Sequence, residues 1–285
     1  MLGCQEPEQF ELVTVQSGVR SLRSRSNGET FHPVVGPMAE AVALHVRQQR
    51  LVERAHETAG PFVIWDVGLG AAANAVAVLE AFAGLPSVRV ELHSFDRTTG
   101  PLAFALEHAE PLDYPALHTG AIRQLLEKGE WRNQSGSLWW QFHPGDFRTT
   151  MGHAPAPHAI LYDPYSPATN PELWTLEHFE ALRGCTDPSR PCLFSNYTRS
   201  TAVRVTLMLA GFYVGLGHAT GEKDQTTIAA NVPGLLEDPL GQQWLTRVRR
   251  STRSAPLRSG AAPGGILAED FAALAGHPQF AVSAR

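Results

Sequence analysis

Phe62-Val63-Ile64-Trp65-Asp66-Val67-Gly68-Leu69-Gly70-Ala71-Ala72-Ala73-Asn74 decides how the rest of the chain is read. The apolar run Phe62 to Trp65 is of strand type, and the alanine-rich stretch Ala71 to Ala83, with Val76, Val78, Leu79 and Phe82, predicts a helix. Gly68-Leu69-Gly70-Ala71-Ala72-Ala73 between them has the dinucleotide-turn pattern in its alanine-ending form. Glycines after a strand let the backbone turn sharply and approach a ligand closely. An ordinary strand-to-helix turn is the plainer reading of the same residues.

Outward from this turn, strand and helix alternate. Val88 to Phe95, Leu138 to Phe142, Ala159 to Tyr162 and Cys192 to Ser195 read as strands. Pro101 to Glu110, Ile122 to Lys128, Glu172 to Leu182 and Ser200 to Ala210 read as helices. Phe212 to Gly215 and Thr226 to Ala230 give two closing strands. Such alternation predicts an α/β fold with a mostly parallel sheet. Ahead of it, residues 10 to 32 alternate apolar and polar positions around Asn27-Gly28, predicting a β extension, and Pro37 to Ala55 fits one helix. Behind it, Gln242 to Arg250 reads as a basic helix, 256–265 as a flexible linker, and 266–285 as a tail that docks as a small helix. The expected division is 1–60, 61–232 and 233–285.

At 285 residues and 43% hydrophobic, the chain buries a substantial core. Its 23 basic and 28 acidic residues, net charge −5, argue against broad polyanion binding but not against a local basic patch. Cys4, Cys185 and Cys192 lack metal-ligand spacing, so no metal is expected and a reduced compartment is the simplest reading. Met1-Leu2-Gly3-Cys4 has no apolar leader before it, and no apolar run is long enough to span a bilayer. A cytoplasmic protein without membrane contact is expected.

Acids end three successive strands: Asp66, Asp96 (followed by Arg97) and Asp146 (followed by Phe147). The pyrophosphate of NAD would be repelled by Asp66 so close to the glycine turn, whereas the amino acid and sulfonium portion of S-adenosylmethionine suits a carboxylate there. Asp96 is placed to accept from ribose hydroxyls, a role shared by both ligands. Asp146 is placed to accept from an adenine amino group, with Phe147 on the ring. Each aspartate alone also reads as a helix N-cap. Together they favour the methyl donor. The fourth strand ends in Tyr162-Asp163-Pro164-Tyr165-Ser166-Pro167, followed by Asn170-Pro171 and Trp174. Its prolines cannot donate ladder hydrogen bonds and bias their predecessors to extended geometry, which fixes an acid and a phenol at the carboxyl edge of the sheet.

These motifs resemble the methyltransferases of the MnmC and MnmD type, which finish 5-methylaminomethyl-2-thiouridine at the tRNA wobble position. The family's GFGTGLNF-like turn appears as Gly68 to Asn74, keeping both glycines and the asparagine. Its Phe-Asp pair is Phe95-Asp96, its Gly-Asp step Gly145-Asp146, and its Asp-Gly-Phe-Ala-Pro and Asn-Pro-x-x-Trp segments Asp163 to Pro167 and Asn170 to Trp174. Ser21-Leu22, Gly28-Glu29, Phe31-His32, Gly36 and Glu40 follow its amino-terminal pattern, and Thr198 to Ala202 with Ala210 to Phe212 its last helix and turn. Pro164 replaces the usual glycine, Thr169 stands where lysine is common, and the loop Gly215 to Lys223 keeps mainly Lys223 of a basic run.

The resemblance implies a Rossmann-like class I S-adenosylmethionine-dependent methyltransferase in its stand-alone form, acting on the anticodon region of tRNA. A separate FAD-dependent oxidase would supply the aminomethyl substrate. It makes Asp163 the residue that meets the amine, with Tyr165 stacking on the base or lining the methyl channel and Gly68, Gly70, Asn74, Asp66, Asp96, Arg97, Asp146 and Phe147 around the donor. His32 and His143 are further candidates. Arg20, Arg23 and Arg25, and Arg247, Arg249, Arg250 and Arg253, are the candidate phosphate contacts. A methyltransferase of a small molecule or another nucleoside, and an idle Rossmann-like binding module, are the alternatives. A dehydrogenase lacks a hydride-transfer constellation near a strand end.

Overall fold

Phe10–Thr14 (β1) and Arg20–Ser24 (β2) pair as an antiparallel hairpin in the computed structural model, which describes residues 9–219 and 224–281. The Met1 to Cys4 opening and Lys223 lie outside the described residues. The other eight strands of the described residues form one sheet: Phe62–Val67 (β3), Val90–Asp96 (β4), Glu130–Arg132 (β5), Leu138–Pro144 (β6), Ala159–Tyr162 (β7), Leu193–Asn196 (β8), Tyr213–Gly217 (β9) and Thr226–Ala230 (β10). Their order is β5-β6-β4-β3-β7-β8-β10-β9. The strands from β6 to β8 run parallel, while β10 is antiparallel to both its neighbours and β5 is an antiparallel edge.

Every residue of β3 is buried, as a parallel strand covered on both faces requires. Phe62 and Ile64 join Leu92, Trp140 and Leu161 on one face, under the helix Ala73–Phe82. Val63, Trp65 and Val67 join Ile160, Tyr162 and Phe194 on the other. The chain moves outward from β3 through β4 to β6, then crosses back to β7 on the far side of β3. Open α/β sheets bind ligands at such a reversal, beyond the carboxyl ends of the strands. This is the Rossmann-like class I methyltransferase arrangement, with the β1–β2 hairpin as its extension.

Four segments differ from expectation. The single helix expected over 37–55 is broken into Pro37–Ala41, a π-helical turn Val42–Arg47 and Leu51–Glu57, with Arg50 left-handed between them (φ +50). The wider turn lets two polar side chains reach into the sheet. His45 Nδ1 pairs with Ser195 Oγ at 2.8 Å, and Gln49 Nε2 donates to Ile160 O (2.9 Å) and Ser195 Oγ (2.6 Å). The helix expected from Glu172 starts at Leu176, because Thr175 caps it by accepting from His178 N. The edge strand β5 was not foreseen; it is too short to show an alternating pattern.

The linker expected to be flexible at 256–265 is instead strapped to the core. Leu257 N donates to Thr206 Oγ1 and Leu257 O accepts from Leu176 N, while the amides of Ser254 and Ala255 bond Gly264 O. Beyond it, the helix Ala268–Ala275 buries Leu274 in the same core as β7 and β8, and Gln279 bonds both Val214 N and Val214 O on edge strand β9. Leu274→Ala is therefore expected to lower unfolding stability by about 2–4 kcal/mol in urea denaturation. An unchanged midpoint would show the tail to be energetically detached.

Candidate active site

A cleft of about 1170 Å³ opens at the carboxyl ends of β3, β4, β6 and β7. Gly68, Gly70, Asn74, Asp96, Arg97, Phe147, Asp163 and Tyr165 border it, so both residues expected to meet the acceptor and six of those expected around the donor meet there. Asp66 and Asp146 do not border it.

Gly68 is left-handed (φ +90), and a Cβ on it would lie 2.6 Å from Asp163 O and 3.0 Å from Pro164 Cα. The first glycine therefore serves a close approach between two protein segments. Gly70 (φ +49) faces the Phe31 ring, whose Cε2 is 3.2 Å from where its Cβ would be. The turn's amides stay within the protein as well: Gly68 N and Leu69 N donate to Phe95 O, and Gly70 N to Asp96 Oδ2 at 3.0 Å. Ala72, left-handed at φ +64, then opens the helix Ala73–Phe82.

The three strand-end acids separate into different roles. Asp96 borders the cleft, its oxygens accepting from Gly70 N and Thr98 N. Asp146 is the N-cap of Phe147–Thr150, accepting from Arg148 N and from the Arg148 and Arg97 guanidiniums, which hold its carboxyl well below the usual range. Arg97 in turn bonds Asp146 (2.8 Å) and Glu172 (2.9 Å). Phe147 reaches the cleft from an aromatic cluster with Trp65, Phe95 and Tyr162.

Asp66 lies fully buried behind the turn, accepting from Ser94 Oγ at 2.7 Å, and its Oδ1 has no partner among the described residues. Burial, with Asp163 and Asp96 nearby, pushes its carboxyl up to about 7 against the opposing Ser94 bond.

On the acceptor side, Asn74 Nδ2 donates to Asp163 Oδ2 at 2.9 Å. Tyr165 packs edge-on against Phe31 with ring centroids 5.7 Å apart, and its carbonyl accepts from Trp174 Nε1. Glu29 accepts from Ser166 Oγ (2.6 Å) and from Thr169 Oγ1, tying the N-terminal segment to the acceptor loop. Tyr197 borders the same wall and donates to Pro164 O. Nothing in the sequence marked Tyr197, since a tyrosine one residue past a buried strand has no distinguishing pattern. His32 borders the cleft beside Asp163, whereas His143 pairs with His93 at 2.9 Å and stacks on Phe95 outside it. Arg20, Arg23 and Arg25 are exposed on the segment whose Ser21, Leu22, Ser26 and Asn27 border the cleft, with Arg25 bonded to Glu11. No residue of Gln242–Arg250 borders it.

Residues 134–232 match a family described as S-adenosyl-L-methionine-dependent methyltransferase. The chain is 26% identical over 253 residues to the tRNA 5-methylaminomethyl-2-thiouridine biosynthesis bifunctional protein MnmC of Methylibium petroleiphilum, covering 82% of this chain and 37% of that protein. It is 29% identical over 216 residues to the protein of the same name from Ectopseudomonas mendocina, covering 68% and 32%. The chain thus spans about a third of the length of the curated relatives it matches. The crystal structure of MNMC2 from Aquifex aeolicus shares the fold, with a TM-score of 0.70 at 24% identity over 94% of this chain and 86% of that one.

Fold and family match together define a class I methyltransferase that uses S-adenosylmethionine. The resemblance to the MnmC/MnmD-type methyltransferases, read first from the motifs, is borne out by these relatives.

The residues present fit that donor. Asn74 is buried, borders the cleft, and leaves its Oδ1 acceptor without a partner among the described residues, as an ammonium ligand requires. Asp96 presents a carboxylate at the next strand end, and the cleft volume suits a nucleoside-sized ligand with an acceptor beside it.

Two outcomes follow from this geometry. Gly68→Ala is expected to cost more than about 2 kcal/mol and to abolish S-adenosylmethionine binding in calorimetry, because its Cβ meets backbone that cannot retreat. Native-like binding would exclude the close approach. For Asp66, the native carboxyl holds its proton up to about pH 7, whereas the unfolded one releases it near pH 4. The contribution of Asp66 to stability is therefore fully present below about pH 4 and lost as pH rises through about 7. Asp66→Asn should flatten the decline, raising stability at pH 8 by roughly 1–4 kcal/mol. Parallel stability–pH curves for the two proteins would remove Asp66 as its source.

Proposed function

We propose that the protein transfers a methyl group from S-adenosylmethionine to the aminomethyl nitrogen of a modified wobble uridine in tRNA. The observation that carries this reading is the Asp163 carboxylate, held by Asn74 on the wall where the glycine turn and the acceptor loop touch. The printed name of the relatives supports the nucleoside.

S-adenosylmethionine, when bound, supplies a methyl carbon on a cationic sulfur, so the protein's task is to present a neutral amine in line. Asp163 accepts a hydrogen bond from that amine and takes its proton, since an ammonium has no lone pair. Tyr165 and Phe31 form the aromatic wall against which the base rests. Asn74 orients Asp163 through Nδ2 and offers Oδ1 to the donor's ammonium. Asp96 receives the ribose hydroxyls, and Gly68, Gly70, Arg97 and Phe147 shape the donor's surroundings. Asp66 and Asp146 act from behind the wall, through charge and through the Arg97–Glu172 network. Arg20 and Arg23, beside the cleft, meet the tRNA phosphates.

The aminomethyl group comes from an FAD-dependent oxidase activity, and both steps belong to the cytoplasm; among the described residues no helix is long and apolar enough to cross a membrane. A small-molecule acceptor is the second reading, favoured by the engagement of Arg25 with Glu11.

The test is methyl transfer to tRNA purified from a strain deleted for this gene, followed by nucleoside mass spectrometry. The methylaminomethyl nucleoside should appear, and Asp163→Asn should lower kcat at least about 100-fold with donor affinity changed less than about threefold. Undiminished turnover in Asp163→Asn would exclude its role, and labelled product absent from tRNA would favour the small-molecule acceptor.

A further inference from the structure

His32 lies where the N-terminal segment crosses the cleft, with its backbone in the left-handed region (φ +47). That conformation costs of order 1 kcal/mol for a residue with a side chain, so its surroundings must hold it. They do so through two carboxylates. Nδ1 lies 3.7 Å from Glu40 Oε2, and Nε2 lies 3.7 Å from Asp163 Oδ2. The His32, Glu40 and Asp163 side chains expose only 12%, 8% and 16% of their surfaces, so little water screens the three charges.

Other elements face the same ring. Asp66, on β3, adds negative charge only once it loses its proton near pH 7, and His45 on the π-helical turn faces the ring as a neutral group, pushed down to about 3 by burial and by His32 itself. Burial works against a charged His32. The adjacent Glu40 carboxylate, with the Asp163 charge, outweighs it, and the imidazole is raised above its ordinary value.

We propose that His32 is a positioning residue for methyl transfer: a cation held between Glu40 and Asp163 that orients the acceptor carboxylate and keeps it ionised within the cleft. This rests on the reading that Asp163 meets the acceptor amine. Asn74 Nδ2 donates to Asp163 Oδ2 at 2.9 Å, and the His32 ring lies 3.7 Å from the same oxygen at ion-pair distance, so a hydrogen bond and a charge act together on one carboxylate oxygen. In the transfer itself, the acceptor ammonium loses its proton to Asp163 and the nitrogen lone pair forms the bond to the methyl carbon. The carbon–sulfur electron pair leaves with the sulfur. His32 neither gains nor loses a proton in these events and acts through its charge. Glu40 holds the far nitrogen and sets the ring's orientation.

His32→Asn tests this, because asparagine tolerates the left-handed backbone and keeps a donor while removing the charge. Without the cation, Asp163 holds its proton to higher pH. With tRNA from the deletion strain as acceptor, the acidic limb of the kcat profile should move up by about one pH unit. At its acid end kcat should fall about tenfold, with S-adenosylmethionine affinity changed less than about threefold. A profile lowered without a shift, or an unchanged kcat, overturns the proposal. Should His32→Asn fail to fold, imidazole NMR titration of His32 in Glu40→Gln and in the unaltered protein decides instead. The ring should lose its proton at lower pH in the variant, and identical titrations overturn the proposal. Asp163→Asn run in parallel separates the two failures. If it retains turnover, the reading of the site falls and the proposal with it; if it is inactive while the His32→Asn profile is unshifted, only the proposal falls.

Discussion

The absence of one side chain, at Gly68, allows the Asp163–Pro164 backbone to lie against the glycine turn at a distance no Cβ permits. This contact brings the ends of β3 and β7 together and makes the glycine turn and the Asp163–Tyr165 motif one wall of the cleft. Asp163 N bonds Val67 O from the same side, so the junction is held by a sheet-like hydrogen bond as well as by packing. Proline at 164 suits this arrangement. Its ring removes a donor that the tight approach leaves no room to satisfy, and it limits the backbone freedom that glycine would bring.

Around that wall the protein gathers acids and then sets them apart. Asp96, Asp163, Glu29 and Glu40 border the cleft and Asp66 lies just behind it, a grouping suited to a cationic donor. Each acid is governed differently. Asp66 is desolvated, Asp96 is bound by backbone amides, and Glu29 is bound by hydroxyls of the acceptor loop. Asp146, outside the cleft, is neutralised by two arginines. Such partition lets neighbouring carboxylates differ in protonation at one pH.

The terminal segments complete this site and this sheet. Phe31, His32 and Glu29 reach the cleft from the extension and touch Gly70, Asp163 and Ser166. The strapped segment after Arg250 and the helix Ala268–Ala275 cover the face of the sheet opposite the helix Ala73–Phe82. Gln279 meanwhile satisfies Val214 N on edge strand β9 and shares Val214 O with Leu240 N.

The sequence by itself determined the alternation of strands and helices, because buried parallel strands and their covering helices impose local periodicities that residues such as Phe62 to Val67 display directly. It also marked strand ends that border the cleft, since glycine, proline and aspartate at strand ends leave local signatures. Tertiary structure alone decided what those residues face. Gly68 looked free to admit a ligand, yet the backbone of a segment 95 positions away fills that space. Asp66, Asp96 and Asp146 each read as a ligand-facing acid at a strand end, yet only Asp96 borders the cleft, and depth of burial and long-range partners give each a separate state. The π-helical turn at Val42–Arg47 and the position of His32 between two acids were likewise invisible, because both depend on groups distant in sequence. Periodicity is a property of neighbours along the chain, whereas close approach and electrostatic state are properties of neighbours in space.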